Sequence, residues 1–158
     1  LEKLLARWQR NCLRSQIANY EAANVFTKRN YWLGIPTIVL TTAVGTGIFA
    51  SLQDENVSTW LKIVLGMISM LAAVLAALQT FFKWGELAAK FQAAGSEYGA
   101  LKRELDQYLA TGEPLTEDTV TSIRERMDTL SRDAPECPKK VWESARRKIP
   151  TAVSQSNK

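Results

Sequence analysis

The side chains able to do chemistry are few and poorly placed for catalysis. The chain has no histidine, no glycine-rich phosphate loop, no metal-ligand spacing and no helix presenting paired carboxylates inward. Acid–base, metal-assisted and phosphoryl-transfer chemistry therefore each lack their constellation. The expectation is a protein that is not an enzyme, with no catalytic, cofactor-binding or metal-binding residue and no cofactor. Cys12 and Cys137 are single thiols. Nothing adjacent would lower either pKa, and the orientation argued below puts both in a reducing compartment, so they read as ordinary small residues without a disulfide. The informative polar groups are instead uncharged and lie in apolar surroundings: the row Thr37, Thr41 and Gly45, and Gln79. Two readings stay open. Either the threonines bond their own helix backbone, or several copies assemble and the row lines a wet pore, with Gln79 either lining it near its inner end or merely snorkelling. No ionisable residue accompanies them, which argues against a proton-coupled transporter or a voltage sensor; a passive, poorly selective pore needs none.

The elements that carry these residues are two charge-free stretches, Asn30 to Gln53 with 24 residues and Ile63 to Phe82 with 20. A helix rises about 1.5 Å per residue and the hydrocarbon layer is about 30 Å thick, so each can span it. The second is rich in alanine and strong inserters. The first is weakened by Thr37, Thr41, Thr42, Thr46 and its glycines, and depends on its neighbours. A soluble bundle with two fully buried helices is the alternative. It is disfavoured because core helices seldom run so long without a charge, and the rest of the chain has too little apolar surface to wrap them. A signal peptide fits less well, since a long polar segment precedes the first stretch.

Charge sets the orientation. Lys3, Arg7, Arg10, Arg14, Lys28 and Arg29 outweigh Glu2 and Glu21 before the first span, and Lys83 and Lys90 follow the second. The connecting turn holds the acids Asp54 and Glu55, with Lys62 near enough to the interface to snorkel. Both termini are expected in the cytoplasm, with Tyr31, Trp32, Trp60 and Trp84 at the boundaries. Small residues recur along each span: Ala43, Gly47 and Ser51 on the first, Gly66, Ser69, Ala73 and Ala77 on the second. Such spacing lets membrane helices pack closely, so these are the candidate span-packing residues.

Outside the spans the chain reads as helix. Residues 2–30 form an amphipathic helix, and Gly34 and Pro36 should break it so that the membrane helix restarts at the proline. After the second span, Leu87, Phe91, Ala94, Tyr98, Leu101, Leu105 and Tyr108 alternate steps of four and three, the seam of a coiled coil and a candidate cytosolic oligomer seam. Nothing between Trp60 and Thr111 forces a stop, so the second span should continue into the cytosol as one long helix. Gly95 and Gly99 invite close approach by the helix of residues 2–30. Thr111 to Pro114 ends the seam helix, Thr116 caps the next, and Pro138 opens a short basic helix to Lys148. That last helix could lie on anionic lipid, but docking on its own bundle with its bases solvated is favoured.

The fold class is thus all-α: a two-span transmembrane hairpin with a cytosolic helical bundle. The divisions are a cytosolic helix over 1–30, a hairpin over 31–83 with spans about 31–52 and 61–83, cytosolic helices over 84–149, and a disordered tail over 150–158. The chain opens on Leu1 rather than methionine, which leaves room for residues upstream.

The order of parts resembles the SLATT family, bacterial two-span effectors associated with nucleotidyltransferase and SLOG sensor proteins. The resemblance rests on the basic lead with Tyr20 and Ala23, the Leu33-Gly34-Ile35-Pro36 approach and the Ala43-Val44-Gly45-Thr46-Gly47 span. It continues through the alanine-rich second span, the Phe82-Lys83-Trp84 exit and the Tyr98 to Leu105 seam. It implies a membrane effector of bacterial conflict and antiphage defence, an oligomeric pore in the inner membrane. A sensor protein or nucleotide second-messenger system encoded nearby would activate it. The partners implied are the lipid bilayer, further copies of the chain and that sensor, with no nucleic acid expected. A non-conducting scaffold that recruits a soluble partner through its coiled coil, and a holin-like pore, are the alternatives.

Overall fold

The structure is a computed structural model that describes residues 2–53, 58–112 and 116–148. The acidic turn at 54–57, the Glu113-Pro114 part of the turn after the seam, and the expected disordered tail lie outside the described residues. Five helices run in order: α1 (Glu2–Gln53), α2 (Thr59–Phe82), α3 (Trp84–Thr111), α4 (Glu117–Asp133) and α5 (Lys139–Lys148). No strand occurs among the described residues. The chain divides into two compact units, Leu1–Val25 with Glu86–Lys158, and Phe26–Gly85.

Both expectations about helix continuity are reversed. α1 does not break at Gly34 and Pro36 but runs through them, with Pro36 inside the helix. An interior proline removes one backbone bond and typically costs about 3 kcal/mol. Local packing offsets that here: Gly34 and Thr37, on either side, are both buried, and the Thr37 hydroxyl donates to the Leu33 carbonyl at 2.7 Å. Conversely, α2 does not continue into α3. Lys83 adopts a left-handed conformation, φ 45° and ψ 36°, while its N–H still bonds the Gln79 carbonyl. This is the geometry usually given to glycine at a helix C-terminus. The break lets Phe82 stack on Trp84 with ring centroids 4.8 Å apart. In an unbroken helix residues two apart point away from each other, so that stack requires the interruption.

In the first unit, the N-terminal part of α1 packs with α3, α4 and α5. Its core is Leu5, Cys12, Tyr98, Leu101, Leu105 and Ile123, flanked by Trp8, Tyr108, Leu109, Met127 and Leu130; Phe91 is also buried. α1 does make the close approach expected at the α3 glycines. A Cβ at Gly95 would sit 3.3 Å from the Tyr20 ring, and one at Gly99 would sit 2.5 Å from the Gln16 amide. Thr116 caps α4, its hydroxyl accepting from the Thr119 N–H at 3.3 Å. α5 docks on the bundle through Ala145, which is buried, while Lys139, Lys140 and Arg147 stay exposed. Arg126 bridges α4 to Glu104 of α3 at 2.6 Å. Asp106 takes hydrogen bonds from Lys102 and from Gln9. Burial alone would raise its carboxyl pKa, but those two donors and the Lys102 charge together hold it below the ordinary value.

The core also predicts a pH response. Burial pushes the Cys12 thiol from 9.0 up to about 11. Tyr98 is raised as well, by burial first and by the neighbouring Cys12 charge, with hydrogen bonds to Ser131 and Ser15 opposing. Both groups ionise more easily in the unfolded chain, so their contribution is complete below about pH 9 and is lost as pH rises towards the folded values. For Cys12 the loss is on the order of 2–3 kcal/mol. Thermal unfolding followed from about pH 8 to about pH 11 should show a falling midpoint, with a shallower fall in Cys12→Ala.

In the second unit, α1 from Phe26 onward pairs with α2. Gly34 lies against Gln79 and Gly47 against Leu65, which makes the pair antiparallel and puts Ala72 level with Leu40. Both helices are long and apolar enough to cross a membrane, and only 11% and 6% of their most apolar windows are buried within the chain. A core helix of a soluble domain would be mostly buried.

Candidate functional site

The face that joins the two apolar helices is built from Gly34, Thr37, Leu40, Val44 and Gly47 of α1 and Leu65, Ile68, Ala72, Leu75 and Gln79 of α2, all buried or half-buried. On α2 these steps alternate three and four, the repeat that keeps one face turned to a partner helix. The glycines permit the approach. A Cβ at Gly47 would fall 2.5 Å from the Leu65 side chain, and one at Gly34 would fall 3.3 Å from the Gln79 amide nitrogen.

Against this geometry the polar row divides. Thr37 is buried and Gln79 half-buried, both within the seam of one hairpin, so neither presents itself to an open passage. Thr41 is exposed and Gly45 half-exposed, with nothing within 4 Å of a Cβ added at Gly45. The hydroxyl donors are taken up by their own helices. Thr41 donates to Thr37 and Ile38 carbonyls at 2.9 and 3.0 Å, Thr42 to Ile38 at 2.8 Å, Thr46 to Thr42 at 3.0 Å and Thr80 to Ala76 at 3.1 Å. Each hydroxyl oxygen keeps acceptor capacity, so exposed Thr41 can still receive a hydrogen bond from water.

The span-packing residues divide too. Gly47 is in the seam, but Ala43 is exposed, and so are Gly66, Ser69, Ala73 and Ala77; the side chain of Ser51 is not among those described. The small row of α2 therefore does not seal the hairpin, which is closed instead by Leu65, Ile68, Ala72 and Leu75. With about 3.6 residues per turn, moving off the seam in one rotational sense reaches Thr41 and Gly45 on α1 and Ser69, Ala73, Thr80 and Gly66 on α2. Because the helices are antiparallel, these positions share one side of the hairpin. The opposite sense reaches Pro36 and Val39 on α1 and Met67, Leu71 and Leu78 on α2. On α2 one side is small and hydroxyl-bearing and the other bulky; on α1 Thr41 and Gly45 share their side with exposed Ile38 and Ile48.

The seam over Leu87, Phe91, Ala94, Tyr98, Leu101, Leu105 and Tyr108 is also reassigned. Phe91, Tyr98, Leu101 and Leu105 are buried, and Leu87, Ala94 and Tyr108 half-buried, inside a single chain. Its a/d pattern is met within one chain by α1 and α4. Among the described residues no group of three or more His, Cys, Asp or Glu could hold a metal ion.

No curated protein and no solved structure matches the chain. Residues 15–121 match the family described as Protein of unknown function (DUF4231). The match takes in both apolar helices, their seam and all of α3, well over half of the sequence, and on that extent the chain belongs to the DUF4231 family.

Proposed function

We propose that the chain is a two-span membrane protein whose hairpins assemble side by side through their small side into a pore. The observation that carries this reading is the small, exposed face of α2, with Gly66, Ser69, Ala73 and Thr80, opposite a bulky one. Gly66 and Gly45, both open, would each cost about 1 kcal/mol against alanine in a helix interior, and close approach by another helix compensates such a loss. Thr41 shares their side. Copies joined there bring its acceptor oxygen to the shared interior, while Met67, Leu71 and Leu78 face lipid. The cytosolic placement of both termini follows from Lys28, Arg29, Lys83 and Lys90 at one end of the hairpin and the acids Asp54 and Glu55 at the other. The resemblance to the SLATT family supplies the setting: an effector of bacterial antiphage defence in the inner membrane, switched by a separate sensor or nucleotide-signal partner.

The chain reconstituted in vesicles is expected to release a trapped small dye, and Thr41→Leu to slow the release several-fold. Intact vesicles at any protein density, with the full chain and with the isolated hairpin of residues 26–85 alike, contradict the pore. A non-conducting scaffold is the second reading, favoured by the threonine hydroxyl donors all being taken up within their own helices. It predicts no release and no loss of membrane potential on expression, with a soluble partner retained on the helical bundle.

A further inference from the structure

The Pro36 stretch of α1 carries an open, shallow cavity of about 500 Å3 on one helix face, lined by the exposed side chains of Lys28, Tyr31, Trp32, Ile35 and Pro36. These positions lie on the side of α1 turned away from α2. Its chemistry is graded along the helix. Lys28, at one end, offers an exposed ammonium. Arg29 beside it is engaged elsewhere, its guanidinium standing 5.6 Å over the Phe26 ring. Trp32 and Tyr31, 83% and 61% exposed, supply amphipathic rings in the middle, and Ile35 and Pro36 an apolar floor. A second, independent feature lies in the backbone. Pro36 sits inside the helix and has no N–H to give the Trp32 carbonyl four residues earlier, so the usual helical bond to that acceptor is missing.

Cation, a carbonyl without its usual helical bond and apolar floor, in that order, match one kind of molecule. We propose that this cavity binds a single anionic phospholipid whose headgroup bears hydroxyls, as in phosphatidylglycerol. The phosphate pairs with Lys28, a headgroup hydroxyl donates to the Trp32 carbonyl, and the first part of an acyl chain lies along Ile35 and Pro36. Charge complementarity selects this occupant over a zwitterionic lipid, whose choline group offers the carbonyl no donor and would oppose Lys28. The proposal rests on the membrane reading above, since only a spanning α1 sets Lys28 at headgroup level and Pro36 at acyl level.

The test is tryptophan fluorescence of the intact chain in phosphatidylcholine vesicles containing a small fraction of acyl-brominated lipid, either phosphatidylglycerol or phosphatidylcholine. The Trp32 signal is taken as the difference between the chain and Trp32→Phe, a change at a side chain too exposed to disturb packing. Brominated phosphatidylglycerol is expected to quench Trp32 at several-fold lower mole fraction than brominated phosphatidylcholine. Lys28→Ala, or Lys28→Gln should the first variant be poorly folded, is expected to reduce that preference about fivefold, the contribution typical of one lysine at an anionic surface. Equal quenching by the two lipids, or a preference unchanged in both Lys28 variants, overturns the lipid site while leaving the spans in place. Absence of quenching by either lipid at any tryptophan overturns the membrane reading and the lipid site with it.

Discussion

Met70→Arg will lower the equilibrium constant for membrane insertion of α2 by about a hundredfold, seen as a fall in the chain recovered in the membrane fraction. Met70 lies near the middle of α2 and is 73% exposed, turned away from Leu65, Ala72 and Gln79. Were α2 in water, an arginine at so exposed a helical position would change stability by no more than about 0.5 kcal/mol. At the centre of a membrane-spanning helix the same side chain costs about 2.5–3.5 kcal/mol on insertion, and every 1.4 kcal/mol is a factor of ten. The two solvents thus predict opposite outcomes for one substitution. Thr121→Arg, at an exposed site on α4, is the control that should leave recovery unchanged. Equal recovery of both variants would mean that α2 does not cross lipid.

Phe91→Ala should be the most destabilising change in the helical bundle. Phe91 is 1% exposed and is among the largest fully buried side chains, on the face of α3 that meets α1 where Gly95 receives the Tyr20 ring. Removing a buried phenylalanine costs about 3–5 kcal/mol, because the transfer term is lost and the surroundings only partly collapse into the space. Set against a total of about 5–15 kcal/mol for an ordinary domain, that removes a large share of the bundle's stability. The substitution also separates two roles for the α3 seam. As an intrachain core its loss lowers the unfolding midpoint independently of protein concentration. As a contact between copies its loss would dissociate an assembly in a concentration-dependent way with the helices intact.

The legible parts of the fold were those written in composition over long windows. Charge segregation marked both apolar helices, the four-three steps from Leu87 to Tyr108 marked the buried face of α3, and Thr116 and Pro138 marked the starts of α4 and α5. Pattern alone could not say which partner fills a face, so the α3 seam looked like an oligomer surface until α1 and α4 were seen to occupy it. The seam of α2 was hidden for a related reason. In a helix apolar all round, Leu65, Ile68, Ala72 and Leu75 do not stand out against equally apolar exposed neighbours, whereas the small row at Gly66, Ser69, Ala73 and Ala77 does. Helix breaks misled in both directions. Pro36 has the local chemistry of a break, but packing around Gly34 and Thr37 overrides it. Lys83 has no such chemistry, and the break there shows only in three dimensions, in its left-handed backbone and in the stack of Phe82 on Trp84. The candidate site was half legible: Thr41 and Gly45 lie on an open side of the hairpin, while Thr37 and Gln79 are taken into the seam, a distinction that depends on the antiparallel register of two helices.

The proposal that the hairpin of α1 and α2 lives in lipid is tested most directly by sedimentation of the chain prepared with and without detergent. The account predicts a defined species only when detergent or lipid is present, with large aggregates forming on its removal as exposed Met67, Met70, Leu71 and Phe81 seek other apolar surface. A single monodisperse species in plain buffer, with its helices intact, would contradict it.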